Sequence, residues 1–437
     1  MNTKGYSGIP RELGYWITFL SKALPLRSVG TFIELLFGAM LTPMGFVTEA
    51  YLALPMRNHW SSYYKWLQKG KWSWLGLARQ FVRLMLKVVK PDVIHLAIDD
   101  TLTLRASKKA PGSQMHHQHG NKPNLAAYVR GQCWVSLAWV VRSGQQAVAL
   151  PLLSRLVPAA GNTGKRVAAQ VLIRGIYRLL EGHRVRVLVD SWYMKGVFIE
   201  SMLRRGFAVI GQVRIDTRLY NEPPRRRKGQ RGRPRKYGRK YTPERIAHLK
   251  RTVVTLPLYG KEQTVRYRSK VLLARFLNGH KVRVVWCEFQ RDEGQWTKAR
   301  LLLSTDVSLT PEQMIESYAE RWSIEPMFHQ LKQAWGLKEA WQQSRQTLHR
   351  WVHLTQVGYG LLQLLRLLDS EQVAQLCRYS PWRKDNPVTA GQIRRGVVMI
   401  FRHVPVRQWW NRKCKKFEPP DGWETEENDG NYANSGF

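Results

Sequence analysis

The spacing of hydrophobic and polar positions changes near residue 90. Before it, "FIELLFGAM", "GFVTEAYLAL" and "HWSSYYKWL" carry apolar residues at helical spacing, punctuated by Pro and Gly. This predicts a helical N-terminal domain over 1–90. From 91, "VIHLAIDD", "YVRGQCWVSLAWVVR" and "QAVALPLLSRL" read as three consecutive strands. A helix ("GKRVAAQVLIRGIYRLLEG"), a strand ending at Asp190 ("RVRVLVD"), a helix ("MKGVFIESMLRRG") and a strand ("FAVIGQV") follow. The region 91–215 is therefore expected to be a mixed α/β layer structure. "RTVVTLPLY", "QTVRYRSKVLLARF", "HKVRVVWCEF" and "TKARLLLSTD" predict a strand-rich insertion, which with a basic loop fills 216–305. Helix returns over 306–375, with Thr310 as N-cap and Pro311 at the first helical position. The segment 376–437 closes on "EPPDGWETEENDGNYANSGF", whose acidic, polar composition predicts a disordered tail.

Composition turns this layout toward a partner. The 437 residues are 44% hydrophobic, enough for a sizeable core, yet Lys and Arg number 70 against 31 acidic residues, a net charge of +39. Such self-repulsion is best relieved by a polyanion, and nucleic acid leads. An anionic membrane surface is the rival, resting on "VGTFIELLFGAMLTPMGFV". That run contains Glu34, Gly38 and Pro43, whereas a spanning helix needs about 20 apolar residues without a charge. A buried helix–turn–helix pair is expected instead. "MNTKGYSGIPRELGYW" lacks a cationic start leading into an apolar stretch, so a cytoplasmic location is expected. Cys133, Cys287, Cys377 and Cys414 have no Cys-x-x-Cys spacing, and no GxxxxGK[ST] loop suggests ATP use.

Several stretches suit DNA. Ten of the 16 residues in "RRRKGQRGRPRKYGRK" (225–240) are Lys or Arg. Its "RGRPRK" matches the core of an AT-hook, placing Arg231, Arg233, Arg235 and Lys236 on DNA, either in a narrow A·T minor groove or as a phosphate clamp. His59, Tyr63, Lys65 and Lys69 make the third N-terminal helix a candidate DNA contact. His116, His117 and His119 lack a nearby fourth ligand for zinc and read as a polar turn.

The chemistry rests on carboxylates. Asp99 and Asp100 end one predicted strand and Asp190 another, at the sheet rim where α/β folds place their sites. Asp99 and Asp100 alternate, so only one can face a shared site. In "YAERWSIEPMFHQLK", Tyr318, Arg321, Glu325 and Lys332 fall at about 0°, 300°, 340° and 320° on a helical wheel. One face thus carries a phenol, a guanidinium, a carboxylate and an ammonium, which serves equally as a solvated ion-pair face or a phosphoryl-transfer site. Carboxylates from two strands and a helix offer the oxygen ligands that Mg²⁺ takes. Pro326 predicts a helix break or kink at Glu325.

The same stretch resembles the Tyr-x2-Arg-x3-Glu-x6-Lys signature of bacterial insertion-sequence transposases, DDE enzymes with an RNase-H-like core. "AIDDTLTL" and "VLVDSWYMKGVFIESMLRRG" resemble the first and second aspartate motifs, in the right order. The resemblance covers roughly 91 to 340. It implies an RNase-H-like mixed sheet with flanking helices. It also implies metal ligation by Asp100, the aspartate before threonine, with Asp190 and Glu325. Two Mg²⁺ ions, with Mn²⁺ as substitute, and phosphate contacts from Tyr318, Arg321 and Lys332 follow from it. So do double-stranded DNA partners (element ends and target), a homodimer on paired ends, a bacterial nucleoid setting, and an aromatic in the insertion stacking on a flipped base. Trp286 and Trp296 are the candidates there, although core packing suits either better. The competing class is a non-catalytic DNA-binding regulator derived from such an element.

Overall fold

The computed structural model describes residues 8–117, 126–144, 146–157, 162–225, 231–292, 294–368, 370–383 and 387–420. His119, part of the basic run and most of the acidic tail lie outside them.

Five helices open the chain: α1 (Gly8–Ser21), α2 (Val29–Leu41), α3 (Val47–Leu52), α4 (Trp60–Lys69) and α5 (Trp74–Val89). Every residue of α2 is buried, including Glu34, whose carboxylate accepts from Arg407 Nη1 at 2.8 Å and the Arg57 amide at 2.9 Å. Gly30 lies one turn before Glu34, and a Cβ there would stand 2.8 Å from Arg407 Nε. The apolar run is thus a core helix with a paired charge. No helix among the described residues is long and apolar enough to cross a membrane. In α4, Lys65 and Lys69 are exposed, but Tyr63 is fully buried and belongs to the core.

Strands β1 (Val93–Leu104), β2 (Ser113–His117), β3 (Tyr128–Ser143) and β4 (Gln146–Leu156) follow, then α6 (Asn162–Ile176), β5 (Arg184–Val189), α7 (Gly196–Leu203) and β6 (Ala208–Val213). β1 runs antiparallel to β3, which pairs β4; on its other side β1 is parallel to β5, and β5 to β6. A three-strand meander followed by two strands parallel to its first is compatible with an RNase-H-like core. His116 and His117 stand on β2, paired to β3, rather than in a turn, because the strand continues past the tip of the meander.

The next elements are β7 (Leu219–Tyr220), α8 (Pro243–Ala247), β8 (Thr252–Leu258), β9 (Lys261–Ala274), β10 (His280–Phe289) and β11 (Arg300–Ser304). β11 pairs β6, so these strands extend the core sheet, giving eleven strands in one sheet among the described residues. Trp286 is buried beside Tyr241, and Trp296 lies under the Arg266 guanidinium at 4.4 Å. Arg231, Arg233, Arg235 and Lys236 are exposed, while Gly238 and Lys240 are tied back to Asn221 and Tyr220.

The chain then forms α9 (Pro311–Glu320), α10 (Ile324–Gln333), α11 (Arg345–Leu365), α12 (Ser370–Cys377) and α13 (Ala390–Phe401), and a short hairpin of β12 (Trp410–Asn411) and β13 (Lys416–Phe417). Thr310 caps α9 through a capping box with Gln313. α11 is buried along nearly its whole length against α2, α5 and β4, which welds the N-terminal helices to the sheet.

Two α11 histidines illustrate that weld. His353 Nδ1 lies 2.7 Å from the His349 carbonyl, its Nε2 accepts from the Ser154 amide at 3.1 Å, and both rings pack on Trp74. Burial pushes His353 down to about 4 and His349 to about 2. The unfolded chain protonates them near 6.5, so stability is full above that pH and is lost as pH falls toward 4. Each histidine is expected to cost about 2 kcal/mol by pH 5, and His353→Gln should flatten the pH dependence of thermal unfolding accordingly.

Candidate active site

Three elements converge at the carboxyl end of the parallel strands. Ile98 on β1 is paired with Val189 on β5, so the next residues, Asp99 and Asp190, stand side by side. Asp190 ends its strand in an Asx turn, its Oδ1 accepting from the Trp192 and Tyr193 amides at 3.1 and 3.3 Å. Burial, and then Asp190, push the Asp99 carboxyl up to about 7 while Arg321 pulls it down. Burial, and to a lesser extent Asp100, raise Asp190, against its two amide donors and Arg321.

The third element is the junction of α9 and α10. α9 stops at Glu320, Arg321–Ser323 form one 3₁₀ turn, and α10 begins at Ile324. Glu325 is its second residue and Pro326 its third, where a missing N–H costs no helical bond. The break expected from Pro326 therefore precedes Glu325 by one turn. Glu320 pins the junction to the sheet, its carboxylate lying 2.5 Å from His95 Nδ1 on β1 and 2.6 Å from Arg142 Nε on β3. A cleft of about 680 Å³ beside the junction is lined by Tyr259, Glu316, Pro326 and the half-exposed Trp322.

Arg321 joins the elements. Its Nη1 donates to Asp99 Oδ2 at 3.0 Å and its Nη2 to Glu325 Oε1 at 3.3 Å, and it packs on the Tyr318 ring at 5.8 Å. Burial would lower its pKa, but Asp99, Tyr318, Glu325 and Asp190 outweigh that and raise it. Lys332 lies two turns on along α10, half-buried.

Asp100 turns to the opposite face of β1. Its Oδ2 accepts from Lys165 of α6 at 2.8 Å and its Oδ1 from the Tyr193 hydroxyl at 3.3 Å, with the buried Cys133 thiol 3.6 Å away. Tyr193 thus touches Asp100 with its hydroxyl and Asp190 with its amide, and ties β1 to the end of β5. Lys165 also lies over the Trp192 ring, and His116 is held low by burial close by. Asp99 is accordingly the member of the pair that shares a face with Asp190, Arg321 and Glu325. Sequence reasoning missed Lys165, whose position in α6 carries no signal, and Tyr193, which lay in the second aspartate motif but was given no role.

The family model described as DDE superfamily endonuclease matches residues 33–271, more than half of the chain. The chain belongs to that superfamily. The matched span includes Asp99 and Asp100 within β1 and Asp190 just after β5, and stops within β9, before Glu325. No curated protein matches the chain. DDE endonucleases act on DNA and use divalent metal ions, which fits the basic composition here. The donor set suits such an ion in kind: three carboxylates from three elements, with a guanidinium standing between two of them as a substitute cation. Among the described residues, no three His, Cys, Asp or Glu side chains are yet gathered around one metal position.

Proposed function

We propose that this DDE endonuclease is an insertion-sequence transposase, with Asp99, Asp190 and Glu325 as its metal ligands. The observation that carries the reading is the meeting of Asp99 and Asp190 with the Arg321–Glu325 junction on one sheet face. When bound, Mg²⁺ or Mn²⁺ supplies charge neutralisation and an activated water at the scissile phosphate. Tyr318, Arg321 and Lys332 hold the phosphate beside the carboxylates, so that catalysis is mostly positioning and charge stabilisation. Water attacks phosphorus and the P–O3′ bond breaks, leaving a 3′ hydroxyl and a 5′ phosphate. The freed 3′ oxygen then attacks a target phosphodiester and displaces another 3′ oxygen, joining element to target. Arg231, Arg233, Arg235 and Lys236 grip flanking duplex, in keeping with their exposure and charge. Two copies would pair two ends.

The test is cleavage and joining of duplex DNA carrying the repeats that flank the coding region. Mg²⁺-dependent nicking at the repeat ends is expected, with no nicking in EDTA. Tight binding without cleavage in any divalent metal would instead favour a DNA-binding regulator.

A further inference from the structure

The Arg321 guanidinium occupies oxygens that a metal would need. It spans Asp99 and Glu325 at 3.0 and 3.3 Å, and the residue is only 9% exposed. Its Nε is buried and has no hydrogen-bond partner among the described residues. A guanidinium best satisfies its planar fork on a doubly accepting anion, and phosphate is one. Here the fork is split between two carboxylates and one of its donors is idle. Arg321 therefore holds its two carboxylates in a split, incompletely satisfied arrangement.

We propose that Arg321 is a latch that makes divalent-metal binding depend on DNA. Without DNA, the guanidinium neutralises Asp99 and Glu325 and keeps the carboxylates from converging on a metal. A backbone phosphate entering beside Tyr318 offers the guanidinium two oxygens of one anion and draws it off the two carboxylates. Asp99 and Glu325 then lose their counter-charge next to Asp190, and the cluster gains affinity for a divalent cation. The coupling is reciprocal: whatever factor DNA adds to metal affinity, metal adds to DNA affinity. The device would limit metal-loaded enzyme to molecules already on DNA. It rests on the assignment of Asp99, Asp190 and Glu325 as ligands.

The experiment is Mn²⁺ titration followed by electron paramagnetic resonance of the free ion. Wild type, Arg321→Gln and Glu325→Gln are compared, each alone and with a short blunt duplex. Glu325→Gln with duplex corrects for ions held by the DNA. The latch predicts that Mn²⁺ binds wild type roughly tenfold tighter with duplex than without, within the usual span of such couplings. Arg321→Gln should reach a similar gain with no DNA present. A wild-type site equally tight with and without duplex overturns the latch, and that arm needs no variant to fold. So does an Arg321→Gln site no tighter than wild type in the absence of DNA. Equal Mn²⁺ uptake by wild type and Glu325→Gln on duplex is a different failure, because it removes the ligand assignment itself.

Discussion

Asp99→Asn should lower Mg²⁺-dependent strand cleavage by at least about a thousandfold, while Asp100→Asn lowers it by about tenfold or less. The two residues are adjacent and chemically identical, so the contrast isolates direction. Asp99 faces Asp190 and the Arg321–Glu325 junction. On the ligand assignment proposed above, neutralising it removes one of three anionic oxygen donors, a loss of several kcal/mol in the charge stabilisation that a metal site provides. Asp100 faces Lys165 and Tyr193. Asparagine keeps an acceptor for the Tyr193 hydroxyl, so the tie to Asp190 persists while the ion pair to Lys165 is lost. Cleavage of a labelled duplex gives the ratio, and fluorescence anisotropy checks that both variants still bind DNA. If Asp100→Asn were the dead variant and Asp99→Asn the active one, the first ligand would be Asp100, as the family motif alone implies.

Arg407→Met is expected to destabilise the fold by about 3–5 kcal/mol, the usual cost of orphaning a buried charge. Glu34 is fully buried in α2, and among the described residues only the Arg57 amide and the neighbouring Tyr63 remain for its carboxylate without Arg407. Combining Arg407→Met with Glu34→Met should recover most of the loss, since a buried pair replaced by apolar side chains of similar volume is often neutral. Urea denaturation of the single and double variants decides this. A double variant as unstable as the single would mean that the pair's geometry, rather than the orphaned charge, matters.

Much of the central sheet was legible because its strands are apolar runs bounded by turn residues, although β1 continues to Leu104 instead of ending at Asp100, its last four residues being paired with β3. β4 spans the apolar run "QAVALPLLSRL". Long-range pairing was not legible. Nothing local indicates that β11 docks on β6 across the basic loop, because antiparallel pairing depends on edges made available elsewhere in the fold. The fully buried α2 and the almost fully buried α11 are covered on every side, which erases the stripe that reveals which neighbour a helix faces. At the site, alternation indicated that Asp99 and Asp100 diverge, but the preference for Asp99 proposed above rests on the register with β5 and the contact of Lys165 with Asp100, neither of which is local in sequence. Pro326 announced a break correctly in kind. Its location followed from helix-start chemistry, which tolerates proline within the first turn.

The short hairpin at the far end of the described chain bears on how the protein is made. The Phe417 amide donates to Thr18 Oγ1 at 2.8 Å across 399 positions, and the Phe417 and Phe401 rings pack on Phe37 of α2. At ribosomal speeds, the first helices wait roughly 20–80 s for these partners to emerge. During that interval the apolar face of α2 lacks its cover. The nascent head is then a natural client for chaperones, and a chain interrupted before α13 would leave the ribosome with an aggregation-prone surface rather than a shortened but sound enzyme.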